Sequence, residues 1–144
     1  MTAPSPVRVA TLAVSAVFLV VGAAGFVPWV VTDYGELRFA GMHSHALLLG
    51  VFEVSILHNL VHLAFGVTGV LLGRTVRSAT LFLVTGGVIY LLLWVYGLWI
   101  DEDSVANALP VNEADNWLHL VFGVGMIALG LRLGKPAKPA RSRA

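Results

Sequence analysis

Asn59-Leu-Val-His-Leu-Ala-Phe-Gly66 recurs 57 residues later as Asn116-Trp-Leu-His-Leu-Val-Phe-Gly123, with five of the eight positions identical. Each copy lies in an otherwise apolar run, and two of the identities are Asn and His, types that are rare within the membrane. Chance similarity between leucine-rich helices is a poor account of Asn-x-x-His occurring twice. A second correspondence precedes each copy: Arg8-Val-Ala-Thr-Leu12 against Arg77-Ser-Ala-Thr-Leu81, 69 residues apart. The chain therefore reads as two tandem copies of a two-helix unit, about residues 8–74 and 77–132. The drop in offset from 69 to 57 makes the first outer loop the longer one.

Composition sets the class. Of 144 residues 58% are hydrophobic and 12% charged, about half the charged fraction of a soluble domain, and mean hydropathy is +0.85. Four apolar stretches, Val9–Val31, Val51–Gly73, Ala79–Ile100 and Trp117–Leu133, approach the ~20 residues that cross a ~30 Å hydrocarbon core. The fourth gains a polar helix start from Asn112–Asn116. The reading is an all-α membrane protein of four transmembrane helices in one domain, residues 1–133. Two tandem units keep one orientation, so a pseudo-two-fold along the membrane normal relates them.

Charge orients the bundle. Arg8, Arg74, Arg77, Arg132 and the bases of the tail lie on one side, whereas the other two loops hold Arg38 and all the loop acids. Lys and Arg excess marks the cytoplasmic face, which puts both termini inside and the chain in the inner (plasma) membrane. Trp29, Tyr34, Tyr96, Trp99 and Trp117 then gather at the outer interface. A cleaved signal peptide is the competing reading of the first span, and the match between spans one and three argues against it. The tail, 134–144, reads as a disordered basic segment resting on anionic lipid, and no nucleic-acid role is needed for it. The absence of cysteine leaves redox chemistry to a bound cofactor.

The repeat also aligns two polar triplets. His58, Asn59 and His62 share one helix face, and Asp115, Asn116 and His119 occupy the matching positions. Both His62 and His119 lie roughly 18–20 Å above the cytoplasmic boundary at 1.5 Å per residue. The same stripe continues through Gly66, Gly69 and Gly73, and through Gly123, Met126 and Gly130.

The triplets admit several readings. As structural groups, Asn59 and Asn116 bond between helices, and His58 pairs with Asp115. As cofactor ligands, His62 and His119 bind a b-type haem, with Gly66 and Gly123 making room and Asn59 and Asn116 orienting the rings. As metal or proton ligands, His58, His62, Asp115 and His119 converge on one cation. That last reading suits a small transporter, although the stripe below the histidines is glycine and aliphatic. A lipid or quinone pocket lined by Tyr90 and Trp94 is a further possibility.

Loop one, Thr32–Gly50, reads as a solvated headgroup-facing segment. Its Asp33, Tyr34, Glu36, His43 and His45 are the types that bind divalent cations. Glu53 reads as a snorkelling or capping carboxylate, and the acidic loop three, Asp101–Asp103 followed by Pro110, as a solvated turn. No Gly-x-Ser-x-Gly, phosphate loop or triad is present. The role that emerges is an accessory or interaction protein with an Asn/His polar core, with homo-oligomers or a larger membrane complex as partners.

Three segments carry a family likeness: Val54–Gly66, Gly87–Leu91 with Trp94–Leu98, and Pro110–Leu120. Together they resemble a family of small four-helix membrane proteins, common in actinobacteria and catalogued as a domain of unknown function. The likeness spans about Val7 to Leu133 and implies the four-span fold and a plasma-membrane location. It implies no activity, cofactor or partner. A looser similarity to redox-associated proteins of the DoxX type rests on architecture alone.

Overall fold

Cap residues punctuate the chain. Ser55 accepts from the His58 N–H at 3.1 Å and starts one helix, and Thr75 accepts from Ser78 at 3.1 Å and starts the next. Asn112 and Asp115 form a reciprocal capping box at the start of the last. Such side chains satisfy N–H groups that the first turn leaves without partners. The computed structural model describes residues 5–41, 44–101, 104 and 107–134. Its helices are α1 (Pro6–Ala24), α2 (Ile56–Leu72), α3 (Val76–Trp99) and α4 (Glu113–Leu133). By length and composition α1, α3 and α4 are able to cross a membrane; α2, with 17 residues, is a shorter apolar helix.

The helices associate as two intimate pairs, α1 with α2 and α3 with α4. Glycine permits the closeness. A Cβ on Gly22 would stand 2.8 Å from the Asn59 carbonyl oxygen, and one on Gly87 would stand 2.7 Å from that of Gly123. The pairs meet through α1 and α3, whose Val7, Phe18, Ala79, Phe82, Leu83 and Tyr90 make the core with Met126 of α4. Helices α2 and α4 flank this centre on opposite sides and hardly touch each other.

The long connection between α1 and α2 is folded, which differs from the solvated loop expected. It contains a three-stranded antiparallel sheet of β1 (Val31–Thr32), β2 (Leu47–Leu48) and β3 (Phe52–Glu53), paired in that order. Val31, Ala46, Leu48 and Val54 form a second small core beneath it. Left-handed backbone at Leu49 (φ 55°) and Gly50 (φ 71°) turns the chain between β2 and β3, the conformation that tight hairpin turns require. The apolar run beginning at Val51 therefore enters as a strand, and helix starts only at Ile56.

Loop three is also tied down. Gly41 donates to the Ala108 carbonyl at 2.9 Å, Asn112 Nδ2 donates to that of Val51 at 2.8 Å, and Asn107, Pro110 and Val111 are buried. The cap formed by the two loops closes the end of the bundle where α2 and α4 begin. Glu102, Asp103 and the basic tail lie outside the described residues.

Candidate functional site

Under this cap lies a partly enclosed cavity of about 100 Å³. His58 and His62 reach it from α2, Asp115 and His119 from α4, and Leu48, Phe52 and Val54 roof it from the cap. The i,i+4 spacing puts the His58 and His62 rings 4.6 Å apart, centroid to centroid. Aromatic rings floor the cavity. Phe18 stacks on His62 at 5.6 Å and 25°, while Tyr90 meets His119 edge-on at 5.3 Å and 75°. Phe18 and Tyr90 touch at 5.4 Å, and Phe65 and Phe122 complete the layer.

Phe18 and Tyr90 are 72 residues apart, His62 and His119 57 apart. The same two offsets relate other contacts. A Cβ on Gly66 would meet Leu19, and one on Gly123 would meet Leu91; Gly25 abuts the Asn59 amide, and Gly97 that of Asn116. Contacts thus set α1 against α3 at 72, three residues from the 69 suggested by Arg8–Leu12 and Arg77–Leu81.

These contacts decide what several residues do. Asn59 is fully buried and donates from Nδ2 to the Gly25 carbonyl at 2.8 Å. Asn116 lays its amide on Gly97. Both asparagines therefore face the preceding helix of their own pair. Gly66 and Gly123 do the same, so the space that a porphyrin would need beside them is filled by Leu19 and Leu91. His62 and His119 share the cavity, whereas Gly66 and Gly123 are turned to α1 and α3.

Asp115 accepts at Oδ2 from the Asn112 N–H at 3.2 Å and from the Glu53 N–H at 2.9 Å. This carboxylate starts α4 and clamps β3 to it. Among the described residues no group of three or more His, Cys, Asp or Glu is placed to hold a metal ion, so His58, His62, Asp115 and His119 share a cavity without forming a cation cage. In loop one, Glu36 pairs with Arg38 at 3.0 Å, His45 is exposed, and His43 lies outside the described residues. Tyr90 lines the cavity; Trp94 is absent from its wall.

Buried polar atoms without hydrogen-bond partners include the amide oxygens of Asn59 and Asn116 and a ring nitrogen of three histidines. His58 and His119 are 6% and 5% exposed, yet the Nδ1 atoms of His58, His62 and His119 all lack hydrogen-bond partners. An uncharged imidazole carries one N–H and one bare nitrogen, so each Nδ1 can take a partner of either kind.

Fold and site together define a predominantly helical protein of membrane-spanning character with a capped, histidine-lined cavity. The chain belongs to the family described as a domain of unknown function (DUF4383), whose pattern matches residues 8–132. No curated protein and no solved structure matches it. Sequence reasoning missed the roof residues Leu48, Phe52 and Val54, and the floor residue Phe18. Gly50 between apolar runs, with Ser55 just ahead of a helix, was the available signal for the former.

Proposed function

We propose that this chain is a four-span protein of the plasma membrane, with both termini cytoplasmic, that binds a small hydrogen-bonding molecule in the histidine cavity and serves as an accessory protein rather than an enzyme. Three unpartnered imidazole nitrogens in one cavity carry this reading. Buried side-chain nitrogens nearly always have partners, and a bond left unmade costs about 1–3 kcal/mol. Such a cost in triplicate is hard to reconcile with histidines that serve only packing.

The topology has its own supports. At 17 residues α2 meets the lower limit for a spanning helix, and exposed Trp29, Trp99 and Trp117 mark the end expected at the outer interface. Paired contacts at offsets of 72 and 57 support the tandem repeat and a pseudo-axis along the membrane normal. Binding is favoured over permeation because Phe18, Tyr90, Phe65 and Phe122 close the cavity floor. A permeation route would need polar groups there.

The test is mass spectrometry of small molecules that co-purify with the full chain from native membranes. A hydroxyl- or amine-bearing compound near 1:1 stoichiometry, lost in His58→Leu and in His119→Leu while both variants melt like the parent, is expected. An unchanged small-molecule content together with lowered melting temperatures would assign the histidines to packing instead.

A further inference from the structure

The wall of the histidine cavity is rich in rings and carries one sign of charge. Phe18, Phe52, Tyr90 and Phe122 line it beside the three histidines, so seven of the fourteen lining residues bear a ring. Phe, Trp and Tyr make up 10% of the chain as a whole. Asp115, 4% exposed, lies on the same wall, and no Lys or Arg does. Counting histidine as neutral, Asp115 is the one formally charged group of the wall among the described residues.

These features bear on what the cavity takes. Imidazole does not decide the matter, since its Nδ1 can donate or accept. A carboxylate only accepts, and its attraction for positive charge is stronger where water screens it little. The N–H groups of Asn112 and Glu53 that donate to Oδ2 are dipoles, and they leave the formal charge in place. Aromatic faces add to the same preference, because the centre of each ring is negative. Size sets a limit. The volume is about 100 Å³, less than the ~150 Å³ of an apolar cavity that admits benzene.

We infer that the molecule held in the cavity is a small organic cation, a protonated primary amine of about four to six heavy atoms. Its ammonium group lies toward Asp115 and the Nδ1 atoms of His58 and His119, and its carbon skeleton lies on the rings of Phe18 and Tyr90. This ligand class rests on the cavity being a ligand site. An ammonium group brings three donors, and each imidazole meets it in the tautomer that turns a bare nitrogen inward. A neutral alcohol satisfies an imidazole and leaves the carboxylate without a counter-charge from the ligand. An anion is repelled by Asp115. A metal ion is a poorer match, because no group of three or more His, Cys, Asp or Glu among the described residues is placed to hold one.

Saturation-transfer NMR on the full chain in phosphatidylcholine nanodiscs, with empty nanodiscs as the blank, tests this. The probes are isobutylamine and isobutanol, which share a shape and differ in charge at neutral pH. Isobutylamine is expected to bind at least tenfold more tightly. Asp115→Asn, which keeps an oxygen for the two N–H groups, should bring the two affinities within about twofold of each other. Phe52→Leu keeps an apolar roof and removes a ring face, so it should weaken the amine about two- to fivefold and leave the alcohol unchanged. It carries the test if Asp115→Asn does not fold. Equal affinities in the parent, or an amine preference that survives both substitutions, would overturn the cation while leaving the cavity a ligand site. Binding of neither probe would also overturn the cation, and the cavity reading falls with it if no small molecule co-purifies with the chain.

Discussion

The two helix pairs are held together alike and furnished differently. In each, a glycine near the end of the first helix abuts an asparagine amide, a glycine of the second helix meets a leucine, and an aromatic ring lies against a histidine. Gly25, Leu19 and Phe18 do this in the first pair, Gly97, Leu91 and Tyr90 in the second. The differences lie elsewhere. His58 faces the cavity where the second pair has Asp115, a folded β cap follows α1 where a short loop follows α3, and Phe82 stands where the first pair has Ala10. Packing residues are shared because each pair must solve the same close approach. The site combines the shared His62 and His119 and their rings with the unshared His58, Asp115 and roof.

That contrast makes the consequences of substitution uneven. Phe82→Ala should have the largest effect, removing a buried ring that packs on Phe65 at 4.9 Å and costing about 3–5 kcal/mol, read as a large drop in melting temperature in detergent. Gly22→Ala and Gly87→Ala each press a methyl on the facing backbone and should cost about 1–3 kcal/mol. A cost in neither would show that close approach at these glycines is not what holds each pair.

Asn59→Ala removes a buried bond to Gly25 and should cost up to ~1.7 kcal/mol. Asn116→Ala should cost less, because Asn116 is less deeply buried than the fully buried Asn59. Gly125→Leu should leave melting within about 0.5 kcal/mol of the parent, since a Cβ there meets nothing within 4 Å; a loss comparable with that of Gly87→Ala would mean this face of α4 is packed.

Much of this was legible in the residues and some was not. Repeated Asn-x-x-His and the apolar runs revealed the helices and the important positions, because intramembrane polar residues are too costly to be casual. They did not reveal which helices share the centre. The stripe of Gly66 and Gly123 looks inward on either arrangement, and only the closeness of α1 to α3 assigns it to the pairs. Asp115 read as a partner for His58 because ligand and capping carboxylates are the same residue type, and its role depends on where Glu53 arrives in space. The cap was hidden for a related reason. Val51–Val54 is as apolar as the helix after it, so hydropathy runs them together, and the break lies in the φ of Leu49 and Gly50.

The central claim is a division of labour: asparagines hold the helix pairs, and histidines serve a ligand. Thermal unfolding of the full chain in detergent, with Asn59→Ala/Asn116→Ala beside His58→Leu/His62→Leu/His119→Leu, addresses it most directly. The account predicts a clearly lower melting temperature for the asparagine variant. The histidine variant should melt at or above the parent, because leucines replace buried groups whose nitrogens lack partners. The reverse order, with the histidine variant destabilised and the asparagine variant unchanged, would contradict it.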